Sequence, residues 1–274
     1  MEKIKIAIIG AGNIGIAIAN GLADSGRFKP VDIILTRRRI HLLEAMHNRG
    51  FIVLSDNRQA VRQTKVILIA VEPQQVNAVL SEIAPELKPD RHIVISVVTG
   101  ISTAQIVKKV GTGITVVRAM PNTAIAVRES MTCLASDTAT ETDITLAKSI
   151  FDTVGKTIVI EEEKMIAATA LGACGIAFFL RAVRAASQGG IEIGFHSKDA
   201  IEIAAQTARG AATLLLTNAN HPEYEIDRVT TPRGCTIAGL NQMEHEGFSS
   251  AMIKGITVSA ERAATLYQNA NSEK

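Results

Sequence analysis

The chain opens on short apolar runs separated by longer mixed stretches. Residues 4–9, 31–36, 66–70, 93–96 and 115–119 are runs rich in Ile and Val. Such runs, without polar alternation, suit strands covered on both faces of a parallel sheet. The stretches between them have helical length. Ser102 with Gln105 reads as a capping box opening one helix, and Thr140 with Asp143 marks another start. Alternation of this kind predicts an α/β domain, a doubly wound parallel sheet with helices on both faces. Two further runs, 131–135 and 157–160, extend the sheet. After residues 161–163 strand runs largely disappear, and Ile201, Ala204, Ala205, Ala208, Ala212 and Leu215 recur at helical spacing. Glycines are frequent there (Gly172, Gly175, Gly189, Gly190, Gly210), which suits closely packed helices in a bundle or an intersubunit interface. The pattern therefore divides the chain into 1–162 and an all-helical 163–274, with a frayed end over 269–274.

Composition narrows the classes. At 274 residues two domains are expected rather than one, and 47% hydrophobic content is ample for a packed core. A net charge of +2 gives no reason to expect nucleic acid or an anionic membrane surface. With 3% aromatics and no Trp, a base-stacking surface is not expected either. Cys133, Cys174 and Cys235 form no C-x-x-C, which argues against a disulfide framework or a zinc site and fits a reducing cytoplasm. The histidines show no metal-ligand spacing. Residues 3–15 resemble a signal peptide until Gly10, Gly12 and Gly15 interrupt the apolar run. Residues 165–180 are uncharged but fall short of the roughly 20 residues a membrane span needs, so the stretch reads as a buried core helix.

Gly10-Ala11-Gly12-Asn13-Ile14-Gly15 is a G-x-G-x-x-G that directly follows the first strand run and opens a helix. In that context it is a dinucleotide fingerprint of Rossmann type. Gly10 makes the tight turn, Gly12 admits the pyrophosphate to the backbone, and Gly15 lets helix and strand pack closely. The helix start, through Asn13 and Ile14, offers N–H groups and positive dipole to the phosphates. At the end of the second run an NAD site usually carries a carboxylate for the ribose 2′-hydroxyl. Here the chain reads Thr36-Arg37-Arg38-Arg39. Thr36 can hydrogen-bond a 2′-phosphate, and Arg37 or Arg38 can pair with it in forked geometry. NADPH is thus favoured, with NADH possible; Arg39 is read as solvated.

Near the far end stands Val229-Thr230-Thr231-Pro232-Arg233-Gly234-Cys235-Thr236-Ile237-Ala238-Gly239-Leu240, a hydroxyl-rich turn leading into an apolar helix start. Backbone N–H groups of Gly234, Cys235 and Thr236 could take a carboxylate there. An ordinary capped helix is the equal alternative. This run, with Glu244 and Gly247-Phe248, resembles the signature of the pyrroline-5-carboxylate reductase family. Further matches are Met120-Pro121-Asn122-Thr123, Pro73-Gln74, Gly194 ahead of Ala200, and Ala205-Gln206-Thr207 with Gly210-Ala211-Ala212, so the likeness covers essentially the whole chain.

The resemblance implies reduction of 1-pyrroline-5-carboxylate to L-proline with NAD(P)H. It implies that the loop through Thr231, Gly234, Cys235 and Thr236 grips the carboxylate of this small cyclic imino acid. Thr236 becomes the candidate proton donor or water-orienting group near the imine nitrogen. Ala70, Val71 and Pro73 would line the nicotinamide side, joined by Met120, Pro121 and Asn122, with Asn57 near the adenosine. Met120 has a second reading as simple core. The resemblance also implies a homodimer or larger assembly through the helical domain, with helices around 165–180 and 200–216 at its centre and the active site at that junction.

Three departures bear on the substrate. Gly172-Ala173-Cys174-Gly175-Ile176-Ala177-Phe178 stands where the family commonly has a Ser-Gly-Ser-Gly-Pro-Ala-Tyr-like stretch, so a straighter helix and a drier pocket are expected. Arg233 replaces a glycine; it either meets a second carboxylate or points into solvent. Glu72 stands where Lys is frequent. A reductase of a related cyclic imine or 2-oxo acid, and a divergent inactive NADP-binding protein, therefore remain as alternatives.

Overall fold

The computed structural model describes residues 4–269, so the end expected to fray lies almost wholly outside the described residues. Two compact units emerge: one comprises residues up to Cys174 together with those from Ser259 onward, the other Gly175–Val258. The division falls inside a helix, past residue 162.

The first unit holds one eight-stranded sheet: β1 (Ile6–Ile9), β2 (Ile33–Thr36), β3 (Ile52–Leu54), β4 (Val66–Ile69), β5 (Ile93–Ser96), β6 (Thr115–Met120), β7 (Ser130–Ala135) and β8 (Gly155–Val159). Their order is β3-β2-β1-β4-β5-β6-β7-β8. Alternate residues of each central strand enter opposite cores. Ile6, Ile8, Ile33, Leu35, Leu68 and Ile95 face one layer of helices. Ala7, Ile9, Ile34, Ile67, Ile69 and Val94 face the other. Each fully buried Ile or Leu contributes about 1.5–3 kcal/mol, which is why these runs carry no polar alternation. The capping boxes at Ser102 and Thr140 are both formed, opening helices Thr103–Val110 and Glu141–Phe151.

Two features depart from the expected pattern. The sheet is not wholly parallel: β7 runs antiparallel to β6. Their connection is only a short 3-10 segment, Thr123–Val127, whereas a parallel return needs a crossover of a dozen or more residues. β3 was not expected. It has three half-buried residues at the sheet edge after Gly50, whose φ is +90°, and a run that short carries no periodic signal.

Helices Gly175–Glu192, Ser197–Asn218, Pro222–Val229, Cys235–His245 and the first half of Phe248–Asn269 make up the second unit. The first two form a hairpin closed through Gly190, where a Cβ would stand 3.2 Å from the Ala200 Cβ. The buried core helix expected over 165–180 is corrected. Within the chain only Met165, Thr169, Ala170 and Gly175 of that stretch are buried, while Leu171, Phe179 and Leu180 are each more than 60% exposed. One helical stretch, Glu162–Glu192, is long and apolar enough to cross a membrane by length and composition. The helix is not regular α throughout: Thr169–Cys174 is π-helical, and the Thr169 hydroxyl donates to the Met165 carbonyl at 2.8 Å. A side-chain bond back to the preceding turn and an inserted residue both disturb the α ladder without a proline.

Candidate functional site

The ends of β1, β2 and β4 open onto a cleft of about 850 Å³. Its floor is the glycine loop. Gly10 has φ +92°, and a Cβ there would meet Val71 Cγ1 at 2.5 Å and the Ala70 carbonyl oxygen at 2.8 Å. A Cβ on Gly15 would stand 2.7 Å from the Gly10 oxygen, so helix and loop close only on glycine. Gly12 differs: a Cβ would meet no protein atom within 4 Å, and the residue lines the cleft. A side chain there would fill the cleft itself. Gly12 also caps helix Asn13–Asp24 with no side-chain bond, so the first-turn amides are left to an anion. This arrangement fits the pyrophosphate of a dinucleotide.

β2 is latched to that loop. The Thr36 carbonyl accepts from the amides of Gly10 (3.2 Å) and Ala11 (2.9 Å). Arg37 returns the tie, donating from its guanidinium to the Ala11 carbonyl at 3.2 Å. Arg38 and Arg39 are exposed, line the same corner, and make no ion pair among the described residues. Arg39, expected only in solvent, therefore also borders the cleft. Thr36 is buried, and its hydroxyl donates to Asn57 Oδ1 at 2.6 Å; Asn57 Nδ2 donates in turn to Glu82 Oε2 at 2.9 Å.

Of the residues singled out in the sequence, Gly10, Gly12, Thr36, Arg37, Arg38, Asn57, Ala70 and Val71 converge on this cleft. Asn13 and Ile14 form the helix start beneath it, Gly15 packs behind the loop, and Pro73 opens helix Pro73–Ile83 beside it. Met120, Pro121 and Asn122 do not line the cleft. Met120 packs with Cys133, Ala135 and Met165, which is its core reading. Asn122 caps the segment Thr123–Val127 by accepting from the Ala124 amide, and donates to the Gly172 carbonyl at 3.2 Å. Sequence reading missed the wall formed by Gln75, Ala78, Val79 and Glu82. Their spacing of three, four and seven is one face of a helix, and it was the available signal.

In the second unit, Thr231, Pro232, Arg233 and Gly234 form a turn closed by the Gly234 amide on the Thr231 carbonyl at 2.9 Å. Gly234 caps helix Cys235–His245 without a side-chain bond. A Cβ on Gly234 would stand 2.5 Å from Thr231 Oγ1, so the turn closes only on glycine. Arg233 is exposed with φ +62°, a left-handed conformation that costs a non-glycine residue about 1–2 kcal/mol. That explains why a glycine suits the position, and it leaves the arginine side chain in solvent within the chain. Thr236 is half-buried on the first helical turn, and Thr231 and Cys235 are exposed.

Two family models match this chain: pyrroline-5-carboxylate reductase dimerisation over residues 162–266, and NADP oxidoreductase, coenzyme F420-dependent, over residues 5–100. Pyrroline-5-carboxylate reductase 1 of Dictyostelium discoideum is 52% identical over 98% of this chain, which spans about half (51%) of that protein's length. Pyrroline-5-carboxylate reductase 2 of the same organism is 46% identical over 95% of this chain and 92% of its own. The crystal structure of a Plasmodium falciparum pyrroline carboxylate reductase with NADP bound superposes with a TM-score of 0.87 at 25% identity, covering 97% of this chain and 99% of that one.

Proposed function

The chain belongs to the pyrroline-5-carboxylate reductase family, and from that membership we propose that it reduces 1-pyrroline-5-carboxylate to L-proline with NADPH. One observation carries the coenzyme half of this reading: an uncapped glycine-loop helix start opens onto a cleft where the end of β2 carries arginines in place of the carboxylate usual at an NAD site. NADPH supplies the hydride from nicotinamide C4 when bound. The protein's own tasks are holding, orienting and moving a proton.

Gly12 and the amides of Asn13 and Ile14 hold the pyrophosphate, and Arg37 and Arg38 hold the 2′-phosphate. The amides of Gly234, Cys235 and Thr236 hold the substrate carboxylate. The imine nitrogen has to gain a proton, because an iminium accepts hydride more readily than an imine. Thr236 serves by orienting the water that delivers it, since an unperturbed hydroxyl is a poor acid. With both molecules held, proximity supplies much of the rate.

The working form is a homo-oligomer built through the helical unit. The dimerisation model spans these helices, and Phe179, Leu180, Ile193, Leu216 and Ile253 are all more than 60% exposed in the single chain. Large apolar side chains exposed in such numbers mark a surface that another molecule covers. Covering it with a second copy answers the membrane reading of the same helix. Three free cysteines accord with the cytoplasm.

The test is NADPH oxidation by the purified protein with a panel of cyclic imines and 2-oxo acids. Turnover of 1-pyrroline-5-carboxylate above all others is expected. Preference for another member of the panel would move the substrate assignment, and tight NADPH binding without any turnover would replace the enzyme reading with that of a binding protein.

A further inference from the structure

The polar corner of the cleft is wired in one direction. Glu82 stands on helix Pro73–Ile83 and borders the cleft. Its Oε2 faces Asn57 Nδ2 at 2.9 Å. A carboxylate offers only acceptors, so the Asn57 amide must turn its NH₂ toward Glu82. That places Asn57 Oδ1 against Thr36, and the Thr36 hydroxyl has to donate to it, at 2.6 Å. A threonine hydroxyl has one proton. With that proton committed to Asn57, Thr36, which borders the cleft, has only lone pairs on Oγ1 left to offer.

We infer that Glu82 is a positioning residue for coenzyme choice: acting through Asn57, it makes the Thr36 hydroxyl an acceptor at the ribose 2′ position. A 2′-hydroxyl can donate to such an oxygen. A 2′-phosphate at neutral pH brings acceptors of its own and is repelled by it. The phosphate then depends on the arginine side chains, and NADH retains useful affinity. The sequence reading gave Thr36 the opposite polarity, as a partner for the phosphate. The inference rests on the cleft being the dinucleotide site.

Binding of NADPH and NADH to the full-length protein, followed by coenzyme fluorescence, tests it without requiring a substrate. In Glu82→Gln the new amide can donate as well as accept, so Asn57 is free to turn over and the Thr36 proton becomes available to phosphate. A hydrogen bond to a charged group gained in this way should tighten NADPH relative to NADH by about tenfold. Thr36→Val in the native background should weaken NADH several-fold and leave NADPH nearly unchanged. In the double variant the gain from Glu82→Gln should vanish.

Removing a negative charge from the corner would also favour NADPH, but that gain would survive Thr36→Val. A surviving gain therefore overturns the relay, as does an unchanged NADPH-to-NADH ratio in Glu82→Gln. If the wild-type protein bound neither coenzyme, the dinucleotide assignment of the cleft would fall and take this inference with it. Binding of both with an unmoved ratio would reject the relay while leaving that assignment standing.

Discussion

The two compact units solve the burial problem differently. The sheet unit covers both faces of its central strands with its own helices, so Ile6, Ile8, Ile33, Leu35, Ile67 and Ile69 lie at 0–1% exposure. In Gly175–Val258 only Gly175, Ser187 and Ala200 are buried. One half is complete as a single chain, and the other is half of something. A dinucleotide cleft can therefore form within one chain, whereas the helical unit has to find its core in an assembly.

The sharpest way to break this contrast is to charge the exposed helical face. Phe179→Glu with Ile193→Glu should weaken self-association by at least about a hundredfold, as loss of interface anchors does. Sedimentation should show monomers with little imine reduction, while NADPH affinity stays within a few-fold. Loss of NADPH binding in step with assembly would show that the sheet unit is not self-sufficient. Next in size is Thr236→Ala, which should cut kcat by about a hundredfold, the scale of a lost proton-transfer or water-orienting group, with NADPH binding intact. Unchanged turnover would remove Thr236 from the mechanism.

Arg37→Ala should weaken NADPH by about tenfold, the loss expected for a charge-assisted bond to phosphate, and weaken NADH less. Since Arg37 also braces the Ala11 carbonyl, equal losses for both coenzymes would assign it to loop support alone. The smallest effect concerns the sheet core. Burial, helped by the charges of Arg91 and Lys88, holds the His92 pKa below its ordinary 6.5. The folded protein thus keeps His92 neutral where the unfolded chain takes up a proton. That contribution to stability is full above pH 6.5 and is lost as pH falls from 6.5 toward the folded value. A Tm measured from pH 7.5 to 5 should decline more steeply than in His92→Gln, and parallel curves would exclude the effect.

What could be read from sequence follows the same division. Strands 66–69 and 93–96 announced themselves because burial on both faces leaves no alternation of polar and apolar residues, and Ser96 at the end of the second is buried with the rest. The glycine loop was legible because φ and close packing at Gly10 and Gly15 admit one residue type. The helical unit misled: its apolar residues face outward in the single chain, and periodicity reports that a face is apolar without saying what covers it. The orientation of Thr36 was also out of reach. It depends on Glu82, 46 positions away, through a contact that only the fold creates.

The edges of the sheet complete the picture. At one side β3 is three residues long, too short to template an incoming strand. At the other, β8 exposes Ile158 and Val159 but carries an exposed Lys156 and leads into Glu161, Glu162 and Glu163. Charges of this kind act as gatekeepers against strand addition. With both edges of the sheet blunted in this way, strand addition is disfavoured, and the exposed apolar helical face is left as the surface through which association can run.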